Sequence, residues 1–146
     1  MLLIVSACLI GRNCKYNGGN NRSNQLCTAL RHHAVIPLCP ECAGSLPVPR
    51  PPAELKGSRV IDINGRDVTA FFKAGIASCL ATIAGRPIAG AILQERSPSC
   101  GVNLIYDGTF SNRLISGQGL FTKALKKQGI PVYTLKNYTD LLNLFK

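Results

Sequence analysis

Seven cysteines in 146 residues, with no tryptophan and only two histidines, make sulfur the first chemistry to consider. Three of these cysteines stand where apolar runs end. Leu2-Leu3-Ile4-Val5 runs into Ser6-Ala7-Cys8, Val35-Ile36-Pro37-Leu38 into Cys39-Pro40-Glu41-Cys42, and Ile88 to Leu93 into Ser97-Pro98-Ser99-Cys100-Gly101. In open α/β sheets, ligands bind in the crevice outside the carboxyl ends of the strands. If the three runs lie side by side, they deliver Cys8, Cys39 and Cys100 to one edge. Three thiols there suit a metal centre with one open position. An iron–sulfur cluster is normally held by four cysteines, so three leave one iron free to act as a Lewis acid. Three protein ligands and a water equally describe a catalytic zinc site. Cys39-Pro40-Glu41-Cys42 alone reads as a thioredoxin-like redox pair, but it opens no obvious helix and accounts for neither Cys8 nor Cys100. A module that holds zinc or a cluster for sensing, without turnover, is the non-enzymatic alternative.

The remaining cysteines divide by context. Cys27 and Cys79 lie within apolar helical patterns and read as core thiols. Cys14 opens the Gly/Asn-rich stretch that runs to Asn21, a composition that forms turns and positive-φ positions and wraps closely around something. His32 and His33 are adjacent on a helix end, where they point about 100° apart and do not converge on one ion.

The elements that must hold these residues alternate between strand and helix. The run Met1–Val5 reads as a first strand, since it lacks a basic leader and is too short for a signal peptide. Ser23 caps a helix from about Asn24 to His32, with Leu26, Cys27 and Leu30 inward. The second strand ends at Cys39 because Pro40 cannot continue it. The proline-rich stretch from Gly44 to Glu54 is stiff and extended, either a surface connector or a wall holding Arg50 toward a ligand. Ser58–Ile63 with Asn64-Gly65-Arg66 reads as an edge strand and turn. Asp67-Val68-Thr69 then starts a helix whose apolar face includes Phe71, Phe72, Ile76, Cys79, Leu80 and Ile83. The strand Ile88–Leu93 is apolar on successive residues, as a strand covered on both faces must be. Val102 to Gly108 is a weak strand or loop, a helix follows from about Gly117 to Gln128, and Ile130–Tyr133 and Tyr138–Phe145 close the chain as strand and helix. This order predicts a single α/β domain over residues 1–146, a three-layer sandwich with a mostly parallel sheet.

Composition narrows the partners. Lysine and arginine number 17 against seven acidic residues, a formal charge of +10 that favours an anionic partner such as a nucleotide or nucleic acid. No run approaches the roughly 18–20 apolar residues needed to span a bilayer, so no membrane role is expected. Cysteine-rich chains without a secretion signal belong to reducing compartments, and the expected location is cytoplasmic. The oligomeric state is not encoded in any pattern.

Several motifs in order resemble one family: Val5-Ser6-Ala7-Cys8-Leu9-Ile10-Gly11 through Cys14-Lys15-Tyr16-Asn17-Gly18, then Cys39-Pro40-Glu41, Leu46-Pro47-Val48-Pro49-Arg50-Pro51-Pro52-Ala53-Glu54, Asp67-Val68-Thr69, Ser97-Pro98-Ser99-Cys100-Gly101 and Tyr106-Asp107-Gly108-Thr109-Phe110-Ser111. Together they resemble the thiouracil desulfidase family over nearly the whole chain. The resemblance implies a Rossmann-like domain carrying a [4Fe–4S] cluster on three cysteines. It further implies non-redox, hydrolytic removal of sulfur from thiolated pyrimidine bases or nucleosides such as 4-thiouracil. Cys8, Cys39 and Cys100 occupy the motif positions of cluster ligands, with Cys14 a fourth match to the pattern. Glu41 takes the place of the base that activates water, and Ser97 or Ser99 that of the hydroxyl that orients substrate.

Overall fold

The computed structural model describes residues 2–145, so the expectation that Met1 begins the first strand lies outside the described residues. Four parallel strands form the central sheet: β1 (Leu2–Ser6), β2 (Ala34–Leu38), β5 (Ile88–Ile92) and β8 (Val132–Tyr133), in the order β2-β1-β5-β8. Between β2 and β5 the chain forms an antiparallel hairpin, β3 (Ala53–Lys56) and β4 (Arg59–Asp62). Beyond β5 it forms a second, β6 (Leu104–Tyr106) and β7 (Leu114–Ser116). The helices are α1 (Asn24–Ala29), α2 (Pro40–Ala43), α3 (Thr69–Ile83), α4 (Leu120–Lys127) and α5 (Tyr138–Asn143).

Strand side chains alternate between faces, and here that period sorts the core into two layers. Ile4, Ile36 and Ala91 pack against Ile76, Cys79 and Ile83 of α3 and Phe121 and Leu125 of α4. Leu3, Val5 and Ile92 pack on the other side against Leu26 and Leu30 near α1 and Leu141 and Leu142 near α5. The sheet is thus covered on both faces, which is why β1 and β5 read as unbroken apolar runs. The expected three-layer α/β sandwich is what the chain forms. Among the described residues, no helix is long and apolar enough to cross a membrane.

Four local expectations are revised. The helix after Ser23 is shorter than expected, with Leu30 already its C-cap, although Ser23 Oγ does accept from Leu26 N at 3.1 Å. The hairpin turn is at Gly57-Ser58, between β3 and β4. Asn64-Gly65-Arg66 makes a separate loop instead, because Asp62 Oδ1 accepts from both Asn64 N and Arg66 N. Phe71 is 46% exposed while Phe72 is fully buried, since neighbours on a helix differ by about 100° and only one can face inward. Lastly, the Cys39-Pro40-Glu41-Cys42 stretch does open a helix: Cys39 is the N-cap of α2, with Pro40 at the first position, where a missing N–H costs nothing.

That one-turn helix is pressed against α3 through two glycines. A Cβ on Gly75 would lie 1.7 Å from Pro40 O, and one on Gly44 would lie 2.0 Å from Phe71 O. Gly75→Ala therefore drives α2 away from α3. The expected cost is about 1–3 kcal/mol by urea unfolding, the usual range for overpacking. The displacement carries Cys39 and Glu41 with it. Wild-type stability in Gly75→Ala would show that α2 is not held by this contact.

Candidate active site

The strand order creates a switch point. The chain leaves β1 toward β2 and leaves β5 toward β8, in opposite directions, and a crevice opens between the two carboxyl ends. It holds a cavity of about 520 Å³ walled by Cys8, Cys14, Cys39 and Cys100, with Glu41, Ser97 and Ser99 on the same wall. The expected convergence of strand-end thiols is therefore seen, with Cys14 joining them. Cys42 is not on this wall, and its sulfur lies 3.7 Å from Cys14 O. Cys79 is buried in the α3 layer, and Cys27 lies on α1.

Each wall is built by a different local device. Cys8 sits in a 3₁₀ turn, Ala7–Ile10, that continues directly from β1 and ends at Gly11 with φ +100°, a conformation suited to glycine. Its carbonyl accepts from Asn21 N at 3.0 Å, and Asn21 Nδ2 approaches its sulfur at 3.7 Å. The Gly/Asn-rich loop folds on itself through Asn20 Nδ2 to Asn13 Oδ1 and Lys15 N to Gly19 O, and so presents Cys14, Lys15 and Tyr16 to the cavity.

Cys100 is fixed by the start of α4. Leu120 N donates to Pro98 O, Phe121 N to Ser99 O and Thr122 Oγ1 to Cys100 O, at 2.8–3.0 Å. The loop carbonyls thus satisfy the orphan N–H groups of the helix. Inside the loop, Ser97 Oγ accepts from Ser99 N at 3.1 Å and Cys100 N at 3.0 Å. Ser6 Oγ accepts from Gln94 N at 2.9 Å and ties this segment to β1.

Glu41 stands between two partners. Its Oε2 accepts from Ser99 Oγ at 2.9 Å, and its Oε1 pairs with Arg50 Nε at 3.2 Å. Ser99 Oγ is also 2.9 Å from Ser97 Oγ. An ionised carboxylate only accepts, so the order is fixed: Ser97 donates to Ser99, and Ser99 donates to Glu41. The expectation that the proline-rich wall holds Arg50 toward a ligand is refined here. The guanidinium is 5% exposed and turned inward, donating to Glu41, to Pro47 O at 3.2 Å and to Cys14 O at 2.9 Å.

The thiols perturb one another. Cys8 is drawn below the ordinary thiol value chiefly by a hydrogen bond from Cys14, against the effect of burial. Cys39 is pushed well up, first by donating to Cys14 and then by burial. For Cys14 the hydrogen bond from Cys39 pulls down but is outweighed by the bond it gives Cys8 and by burial, leaving it at about 11. Burial pushes Cys100 up to about 12. A bound metal reverses this order, because its charge favours thiolates. Among the described residues, no three His, Cys, Asp or Glu side chains gather around a single ion position. The donors that line the cavity are soft sulfurs, the chemistry that holds iron–sulfur clusters and zinc.

The sequence marks Tyr106 to Ser111 as a motif of the family it resembles, but not where that segment sits. Tyr106, Phe110 and Asn112, on the β6–β7 hairpin, line the same cavity, as do Glu54 and Arg96. Neither that motif nor the turn-like Gly108-Thr109-Phe110-Ser111 within it indicated a place in the same cavity as the cysteines.

The fold and site define a class: a Rossmann-like α/β sandwich with a thiol-walled cavity at the switch point of its sheet. A sequence model of the 2-thiouracil desulfurase family matches residues 3–137, and the chain belongs to that family. Uncharacterized protein YbbK of Bacillus subtilis (strain 168) is 34% identical, over 97% of this chain and 100% of that protein. A solved structure of the [4Fe-4S]-dependent thiouracil desulfidase TudS superposes with a TM-score of 0.91 at 39% identity, covering 98% of this chain and 96% of that one.

Raised thiol pKa values set a direction for pH dependence in the metal-free, reduced chain. A thiol that ionises near 9 when unfolded and near 12 when folded, as for Cys100, favours the native state fully below pH 9. That contribution is lost as pH rises toward 12. Thermal unfolding of the metal-free chain should therefore show a falling midpoint from pH 9 to 11, with a shallower fall in Cys100→Ala. An equal slope in that variant would remove Cys100 from the effect.

Proposed function

We propose that the chain is a [4Fe–4S]-dependent desulfidase that removes sulfur from thiouracil-type bases by hydrolysis, without net redox change. The observation that carries this reading is the meeting, in one cavity, of strand-end thiols with a carboxylate–hydroxyl pair, Glu41 Oε2 and Ser99 Oγ, at 2.9 Å. Cys8, Cys39 and Cys100 are assigned as the cluster ligands, because each ends a strand or follows its end and all three line the cavity. When bound, the cluster supplies a Lewis-acidic iron that draws electron density through the sulfur and makes the ring carbon electrophilic.

The chain's own residues supply the rest. Glu41 accepts a proton from the water that attacks the ring carbon. Arg50 and Ser99 hold the carboxylate from its two oxygens, so its orientation is set before substrate enters. The serine pair fixes the loop beside Cys100, with Ser97 Oγ accepting from Ser99 N and Cys100 N and the Ser99 hydroxyl committed to Glu41. The oxygen of water replaces sulfur on the carbon, and sulfur departs as hydrosulfide, so the atoms balance with no external oxidant or reductant. The substrate class is a small thiolated base or nucleoside. The formal charge of +10 also suits an anionic substrate, a thiolated nucleotide or RNA, and assays should include both.

Anaerobic reconstitution should give about four iron and four sulfide per chain, with turnover of 4-thiouracil followed by loss of its thiocarbonyl absorbance. Stoichiometric zinc with no cluster would overturn the cofactor assignment. Cys8→Ala, Cys39→Ala and Cys100→Ala should each abolish the cluster, while Cys27→Ala, Cys42→Ala and Cys79→Ala should retain it. Cluster loss in Cys14→Ala with retention in one of the first three would reassign the ligand set.

Glu41→Gln keeps an oxygen for Ser99 but cannot take a proton. It should retain iron and bind a thiolated base, yet lose about 10²–10⁴-fold in kcat. Parallel loss of iron and rate would make Glu41 a support of the loop instead of a base, and a full cluster with near-normal rate would remove it from the mechanism.

A further inference from the structure

The lining of the cavity concentrates strained backbone. Four non-glycine residues in the described chain have positive φ, and three of them, Arg96 (+72°), Phe110 (+56°) and Asn112 (+61°), line the cavity. A phenylalanine in the left-handed region is disfavoured and persists only where its surroundings over-determine it. Here the surroundings are identifiable. Glu54 of β3, 9% exposed, accepts from Gly108 N at 3.0 Å and from Phe110 N at 3.1 Å through the same oxygen, Oε1. Gly108 comes so close to β3 that a Cβ there would lie 2.8 Å from Leu55 O. The tip closes on itself as Asp107 Oδ1 accepts from Thr109 N at 2.9 Å. This carboxylate is spent on a hairpin tip that has no part in the thiol wall.

The exposed chemistry of that tip is specific. Phe110 offers the cavity a flat apolar face. Asn112 makes no side-chain hydrogen bond among the described residues, so its donor and acceptor are both free. An amide pair of this kind complements the N–H and C=O pair on the edge of a pyrimidine ring, and an aromatic face suits stacking of the ring itself.

We propose that the β6–β7 tip is the specificity wall for the base: Phe110 stacks on the planar ring, Asn112 reads its lactam edge, and buried Glu54 is the positioning residue that holds the tip through Gly108 N and Phe110 N. This rests on the desulfidase reading and deepens it, assigning recognition to hairpin residues that line the same cavity as Glu41 and the cysteines.

The backbone geometry supplies a clean test. Glycine suits both positions better than the native residue does, so Phe110→Gly and Asn112→Gly remove a side chain without adding strain. In cluster-loaded enzyme with unchanged iron content, Phe110→Gly should raise KM for 4-thiouracil and weaken uracil binding by calorimetry about 10-fold, with kcat little changed. Phe110→Tyr should restore both. Asn112→Gly should weaken binding about 5-fold or more, and Asn112→Asp, which loses the donor, should not rescue it. Glu54→Ala should raise KM alone but add little on top of Phe110→Gly, because it acts through that residue. Glu54→Gln, which keeps an acceptor oxygen, should recover most of the loss. Wild-type KM and uracil affinity in Phe110→Gly and Asn112→Gly, with an active parent, would overturn the specificity wall and leave the desulfidase reading intact. A fully loaded parent that neither binds nor desulfurates thiouracil would overturn both.

Discussion

The Glu41 carboxylate is the junction on which the site depends. It belongs to α2, which follows β2. Its two oxygens reach Arg50 in the proline-rich segment and Ser99 in the loop after β5. Arg50 in turn reaches Cys14 O in the loop after β1. Three separate connections are thereby clamped around one charge. A charge pair this poorly exposed loses much of its hydration, and it is tolerable only when the remaining donors and acceptors are met. They are: the guanidinium also donates to Pro47 O, and the second carboxylate oxygen takes the Ser99 hydroxyl.

Around that junction the chain uses small residues where main chains must approach and prolines where they must not bend. Gly75 and Gly44 allow α2 to sit against α3 at backbone distance. Gly119 serves the loop of Cys100 in the same way, since a Cβ there would lie 2.4 Å from Ser99 O. Between these contacts, the stiff stretch around Pro47 to Pro52 keeps Arg50 in place with little conformational freedom left to lose. The cavity is therefore rigid on the thiol side because of main-chain packing, and on the hairpin side because of one buried carboxylate, Glu54.

What the sequence made legible follows from range. An apolar run ending in a cysteine is a local pattern, and a parallel sheet converts three such patterns into one edge, so Cys8, Cys39 and Cys100 could be read together. The helix around Phe72, Ile76 and Cys79 was equally visible from its period, although the choice between Phe71 and Phe72 was not, since both satisfy the apolar pattern and packing alone selects one. Glu54 closes the proline-rich motif in the sequence, but its role there has no local signature. Its partners are the backbone N–H groups of Gly108 and Phe110, which leave no mark on residue type. The short β6–β7 hairpin and its left-handed tip were hidden for the same reason, as was the inward turn of Arg50. Long-range hydrogen bonds to backbone are the part of the site that composition and spacing do not carry.

The strand order also dictates when the cavity can exist during synthesis. β1, the first strand made, lies between β2 and β5, and the Ser6–Gln94 hydrogen bond spans a separation of 88 residues. The loop of Cys100 is locked only by α4, later still. Contacts this distant in the chain form slowly, because the closure entropy precedes any reward. On a ribosome the first thiols therefore emerge long before the last, and wait as separate, mobile groups. The complete thiol wall, and with it any cluster shared across it, belongs to the end of folding, so cofactor delivery acts on a nearly finished chain.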